Sequence, residues 1–117
     1  MKKKIVYIAP HLSTGGMPQY LYKQIEILNE EFEIYCIEWG DVTGGVLVVQ
    51  RNKIKSLLGN RLLTLGEHKE ELFQMIKRIN PDVIHLQEIP ELFMPNDIAE
   101  KLYTKDRKYS IIETSHS

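Results

Sequence analysis

The run Lys4-Ile5-Val6-Tyr7-Ile8-Ala9-Pro10-His11-Leu12-Ser13-Thr14-Gly15-Gly16 decides how this chain is read. Ile5 to Ala9 is apolar without a break. A half-buried strand would alternate, so this run predicts a strand covered on both faces, the habit of parallel sheets. Pro10 to Gly16 is then a loop, and two adjacent glycines lead it into a helix. Pro18 suits the first turn of that helix, where its missing N–H costs nothing. Leu21, Ile25 and Leu28 recur at helical spacing and predict a helix over 17–30 with one apolar stripe. Lys2, Lys3 and Lys4 imitate the start of a secretory leader. The apolar run behind them ends too soon at Pro10-His11, and no cleavage site follows.

Working outward, short apolar runs alternate with amphipathic stretches. Phe32 to Ile37 reads as the second strand. Gly40, Gly44 and Gly45 punctuate a turn-rich connection. Val46-Leu47-Val48-Val49 is a strand candidate, Arg51 to Leu58 a short helix with Ile54, Leu57 and Leu58 on one face, and Arg61 to Leu65 another strand ended by Gly66. Glu67 to Ile79 is the clearest helical pattern, with Leu72, Ile76 and Ile79 as its stripe and Met75 alongside; Asn80-Pro81 stops it. Val83 to Leu86 is a short buried strand. After Pro90 and Pro95, Asn96 to Tyr103 is a helix carrying Ile98, Ala99 and Leu102, and Tyr109 to Thr114 is the last strand. Alternation of this kind predicts one α/β domain over 1–117, a doubly wound, mostly parallel sheet in the order 3-2-1-4-5 with helices on both faces.

Composition removes several function classes. Fifteen Lys and Arg against sixteen Asp and Glu leave a formal charge of -1, so the basic excess that non-specific nucleic-acid binding requires is missing. Cys36 is the one cysteine, which rules out an internal disulfide and agrees with a reducing compartment. Four scattered histidines show no metal-ligand spacing, and no apolar run is long enough to span a bilayer. Neither GxGxxG nor GxxxxGK[ST] occurs, which disfavours a dinucleotide-dependent dehydrogenase and a P-loop NTPase.

Ligands of open α/β sheets bind beyond the carboxyl ends of the strands, where the strand order reverses. Three segments fall there: Pro10–Gly16, Gln87–Pro95 and Ser115–Ser117. In the first, Gly15 and Gly16 let backbone approach a ligand, and the helix start behind them favours a phosphate. His11, Ser13 and Thr14 could add polar contacts; the plain alternative is a tight turn that needs glycine torsions. In the second, His85 lies within a strand, where a hydrogen-bonded interior histidine is the commoner role. Glu88 falls just past the strand end, where a carboxylate can reach a sugar hydroxyl, and Glu91 lies further out. In the third, His116 follows the last strand and could donate to a phosphate or a hydroxyl; the plain alternative is a frayed terminus.

Taken in order, these segments resemble a known family. Lys4 to Gly16 with its helix, Pro81-Asp-Val-Ile-His-Leu-Gln-Glu88, and Ile112-Glu-Thr-Ser-His116 look like the N-terminal half of retaining GT-B glycosyltransferases of family 4, the glycosyl group 1 enzymes. The resemblance runs from residue 4 to residue 116. It implies two Rossmann-like domains around a cleft, the N-terminal one serving the acceptor and the C-terminal one gripping a nucleotide-sugar donor. It assigns Gly15 and Gly16 to the donor diphosphate or transferred sugar and His116 to the catalytic centre. Less directly, it places His11, Ser13, Thr14 and Glu88 on the acceptor side. No metal and no cofactor beyond the nucleotide-sugar substrate is implied.

The resemblance also implies partners. The chain stops at Ser117, before such a domain would finish, so it is expected to be a fragment or one half of a split enzyme. Its donor domain would be supplied in cis or in trans, and the chain alone would be inactive. The acceptor would be a sugar, lipid or glycan, and the location the cytoplasm, up to the inner face of the membrane. Arg51, Lys53, Lys55 and Arg61 interleaved with Ile54, Leu57 and Leu58 suit weak peripheral contact with anionic lipid, against the plainer reading of a solvated helix face. An open edge at the last strand suits self-association. Two other readings stand beside the enzyme: a non-catalytic partner or adaptor of the same fold, and a flavodoxin-like binding domain.

Overall fold

The computed structural model describes residues 2–12, 16–40 and 49–115. Among these residues, five strands form one parallel sheet in the order β3-β2-β1-β4-β5. They are β1 (Lys4–Ala9), β2 (Glu33–Glu38), β3 (Leu62–Thr64), β4 (Val83–Leu86) and β5 (Ser110–Glu113). The α-helices among the described residues are α1 (Gly16–Leu28), α2 (Val49–Leu58), α3 (Leu72–Ile79) and α4 (Asn96–Leu102). The fold is the doubly wound, Rossmann-like α/β architecture that the alternation predicts.

The unbroken apolar run of β1 has a direct cause. Ile5, Tyr7 and Ala9 join Leu21 and Ile25 of α1 and Ile54 and Leu58 of α2 in one core cluster. Val6 and Ile8 join Leu72, Ile76 and Ile79 of α3 and Leu102 of α4 in another. Side chains alternate across a strand, so a central strand with helices on both sides has no polar face to keep. Fully burying each such side chain contributes about 1.5–3 kcal/mol. The edges differ. Among the described residues β5 pairs only with β4, and its Ile112 is 48% exposed.

The departures from the sequence reading are local. Val49 opens α2 and is not the end of a strand; Val46 to Val48 lie outside the described residues. Branched residues favour strands only where a sheet receives them, and here the following turns bury Ile54 and Leu58 against β2 and β3. The helix expected from Glu67 starts later. Gly66 adopts φ 56°, His68 N–H bonds Leu65 O, and a 3-10 turn at Lys69–Glu71 precedes α3. The stop at Asn80-Pro81 is as expected: Asn80 takes a left-handed φ of 55° and its N–H bonds Ile76 O at 2.8 Å.

Two acidic protons are locked in this core. Burial raises the Tyr7 phenol from 10.0 to about 12, with smaller contributions from Tyr20 and Cys36. Burial, and then the Glu38 charge, push the Cys36 thiol above its ordinary 9.0. The unfolded chain releases both protons at lower pH than the folded one, so alkali favours unfolding. Stability is complete below the unfolded values and is lost as pH climbs through them. Urea midpoints should therefore fall between pH 9 and pH 12; a flat profile would contradict this account.

Candidate carboxyl-rim site

The reversal of strand order falls between β1 and β4, and the register sets their carboxyl ends level. Ile8 pairs with Leu86, and Leu86 pairs with Glu113. The ladder continues one step past the strands, with Gln87 N–H bonding Ile8 O at 2.9 Å and Thr114 N–H bonding Leu86 O at 3.0 Å. The segments after β1, β4 and β5 therefore leave the sheet side by side.

His85 sits where the strand pattern puts it, half-buried with its ring stacked on Tyr7 at 5.1 Å between centroids. Its Nε2 lies 2.7 Å from Thr114 Oγ1, tying β4 to the end of β5. This is the hydrogen-bonded interior role. Gln87 is fully buried at the strand end, and Glu88 is half-buried, its Oε1 accepting Ile89 N–H at 3.1 Å. Glu91 is exposed in a 3-10 turn at Pro90–Leu92. His11 is half-buried just past β1, and Gly16 opens α1. Ser13, Thr14, Gly15 and His116 lie outside the described residues.

The element that sequence reading missed is Glu38, the last residue of β2. Its carboxylate is fully buried. Oε2 accepts Leu12 N–H at 3.0 Å, and Oε1 accepts the Thr64 hydroxyl at 2.9 Å. Arg51, in the first turn of α2, places Nε 3.0 Å from Oε1 and donates from Nη2 to Thr64 Oγ1 at 3.0 Å. The signal was present. Ile34, Cys36 and Glu38 share one face of a strand buried on both sides, and an inward carboxylate there demands partners. The same loops approach closely through backbone. Trp39 N–H bonds Ala9 O at 2.8 Å, and Gly40 N–H bonds Pro10 O at 3.0 Å. A Cβ on Gly40 would meet Pro10 O at 3.3 Å, a tight contact that glycine avoids.

The basic cluster on α2 and the 3-10 turn at Gly59–Arg61 that follows it is partly spent inside. Arg51 serves Glu38, and Arg61 Nη1 donates to Ile34 O at 3.2 Å. Lys53 Nζ lies over the Tyr22 ring at 5.5 Å, and Lys55 is exposed.

The formal charge of -1 hides a polarity. Glu88 and Glu91 follow β4 and Glu113 ends β5, whereas Lys105, Arg107 and Lys108, with Asp106 among them, precede β5, and Lys77 and Arg78 end α3, with Asp82 ahead of β4. Among the described residues no group of three His, Cys, Asp or Glu could hold a metal ion, and no helix is long and apolar enough to cross a membrane. No protein-family model, no curated protein and no solved structure matches the chain.

Proposed function

We propose that this chain is the acceptor-side N-terminal domain of a retaining GT-B glycosyltransferase of the glycosyl group 1 type, acting with a donor-binding domain in cis or in trans. The observation that carries the reading is the level register of β1, β4 and β5 at the reversal. It brings the ends of β1, β4 and β5 side by side, which supports a ligand shared by the segments that follow them. The carboxylates after β4 support the acceptor role, because they accept hydrogen bonds from sugar hydroxyls.

In a retaining transfer the nucleoside diphosphate leaves from the face at which the acceptor hydroxyl arrives. Negative charge grows on the leaving phosphate as the sugar becomes oxocarbenium-like. Backbone N–H groups of Gly15 and Gly16 would stabilise that charge. The leaving phosphate takes the acceptor proton, so no protein nucleophile is needed. His116 would donate to the transferred sugar or its phosphate, and His11, Ser13, Thr14 and Glu88 would hold the acceptor. The reaction belongs in the cytoplasm, up to the inner face of the membrane, where a lipid or glycan acceptor would be presented.

The test is an amide chemical-shift titration of the chain with UDP-, GDP- and ADP-sugars, alongside a turnover assay. Weak, saturable shifts confined to the segments after β1, β4 and β5, with no turnover by the chain alone, are expected. Shifts elsewhere, or none at millimolar ligand, would refute the reading. A tight flavin mononucleotide complex, read by fluorescence, would replace it with the flavodoxin-like one.

A further inference from the structure

At the amino ends of β4 and β5, opposite the carboxyl rim, residues of α3, of α4 and of the turn before β5 enclose an open groove of about 500 Å³. That volume falls within the ~300–1,000 Å³ of small-molecule sites. Its apolar walls are Phe73, Ile76 and Tyr109, all packed in the core cluster under α3 and α4. Tyr109 is further held by its hydroxyl, which donates to Leu102 O at 2.7 Å. Three exposed cations stand around these walls, Lys77, Lys101 and Lys108, against one carboxylate, Asp106. Lys101 Nζ lies 4.6 Å from the centroid of the Phe73 ring, so this cation reaches from α4 across to α3.

We propose that this groove binds a small organic phosphate monoester, its aromatic body against Phe73, Ile76 and Tyr109 and its phosphate among Lys77, Lys101 and Lys108. Charge complementarity carries the choice of head. Three lysines less one aspartate leave a local charge of about +2, which a phosphate monoester dianion matches. None of the three lysines has an ion-pair partner among the described residues. The carbonyls at the helix ends, which would otherwise take such cations, are served by other donors. Lys4 Nζ donates to Ile79 O at 3.1 Å, and Arg107 Nη1 donates to Thr104 O at 3.2 Å. Like charges gathered around an apolar wall repel one another, and an anion between them relieves that repulsion. The recessed walls carry the choice of a small molecule over a protein. The large apolar side chains that stand exposed, Tyr20, Ile27, Ile89, Leu92 and Ile112, all lie outside this groove, so no flat apolar patch surrounds it for a protein to cover. The site is independent of the glycosyltransferase reading, which rests on the opposite ends of the strands.

The experiment is an amide chemical-shift titration of the full chain at matched ionic strength with phenyl phosphate, inorganic phosphate and phenol. Phenyl phosphate should give saturable shifts at Phe73, Ile76, Lys77, Lys101 and Tyr109, and should bind about tenfold or more tightly than either of the other two. Inorganic phosphate lacks the body and phenol lacks the head. In the double variant Lys77→Gln with Lys108→Gln its affinity should fall about tenfold, the loss of one charge-assisted hydrogen bond. Both lysines are exposed, so the β1 amides should keep their native positions. If those amides move, Lys101→Gln alone takes the place of the double variant, with the same loss expected. Four results overturn the proposal. Phenyl phosphate shifts no resonance of the groove at millimolar concentration, or shifts only the segments after β1, β4 and β5. Inorganic phosphate binds as tightly, which would leave a bare cationic patch. Phenol binds as tightly, or the lysine variants keep native affinity, which would leave an apolar cleft without charge recognition. A polyglutamate peptide displaces phenyl phosphate at lower concentration, which would assign the groove to an acidic protein segment.

Discussion

Arg51→Ala should be the most damaging single substitution at the carboxyl rim, lowering the unfolding free energy by about 3–5 kcal/mol. The cause is the carboxylate that it leaves behind. Glu38 has no exposed surface, and Arg51 is its only ion-pair partner among the described residues. Thr64 and Leu12 would still donate to it, but two neutral donors do not replace a guanidinium for a charge without solvent. Against a typical total stability of ~5–15 kcal/mol, a loss of this size is a large fraction. A drop in the thermal midpoint of about 10 °C or more is the corresponding shift for a domain this small. Replacing Glu38 by Gln in the same chain should recover most of it, since the stranded charge then disappears. A midpoint for Arg51→Ala that equals that of the native chain would show that the pair contributes nothing.

Ile8→Ala comes next, with an expected cost of about 2–5 kcal/mol. Ile8 is fully buried at the middle of the sheet, between Ile37 on β2 and Leu86 on β4. Helices close over it, so the cavity cannot collapse fully. Ile112→Ala is the internal contrast. The same atoms are deleted from β5, but Ile112 is 48% exposed on an edge strand, and the cost should stay under about 1 kcal/mol. Urea unfolding of the pair measures both. Similar losses at the two positions would contradict the picture of a sheet buried at its centre and open at β5.

Legibility in the sequence followed burial. β1 was readable because a gapless apolar run has few alternatives, and the α3 stripe of Leu72, Ile76 and Ile79 was readable because successive turns agree on one face. Val49 was misread because a branched residue at the end of an apolar run looks the same opening a helix as closing a strand; only the later burial of Ile54 and Leu58 decides. The start of α3 was misplaced because Glu67 and Glu70 are good first-turn residues, and nothing local reveals that Gly66 turns the chain. At the candidate site, His85 and Glu88 were found because they sit beside a recognisable strand end. Glu38 was passed over because its partner, Arg51, lies thirteen positions away in a run of cations that reads as surface. Pairing across such a separation is a property of the sheet order, not of any window of sequence.

The placement of β1 at the centre of the sheet also sets a schedule. Ile5 lies opposite Val83 in the finished ladder. During synthesis at ~5–20 residues per second, the intervening chain takes roughly 4–16 seconds to emerge. Throughout that interval the most apolar strand of the protein is outside the ribosome with one side of its hydrogen-bonding ladder empty. β2 arrives first and can occupy the other side, so the nascent chain waits as a half-sheet whose vacant edge is the one that later borders the site. That edge is where a chaperone would engage, and where a crowded polysome would misassemble neighbouring chains.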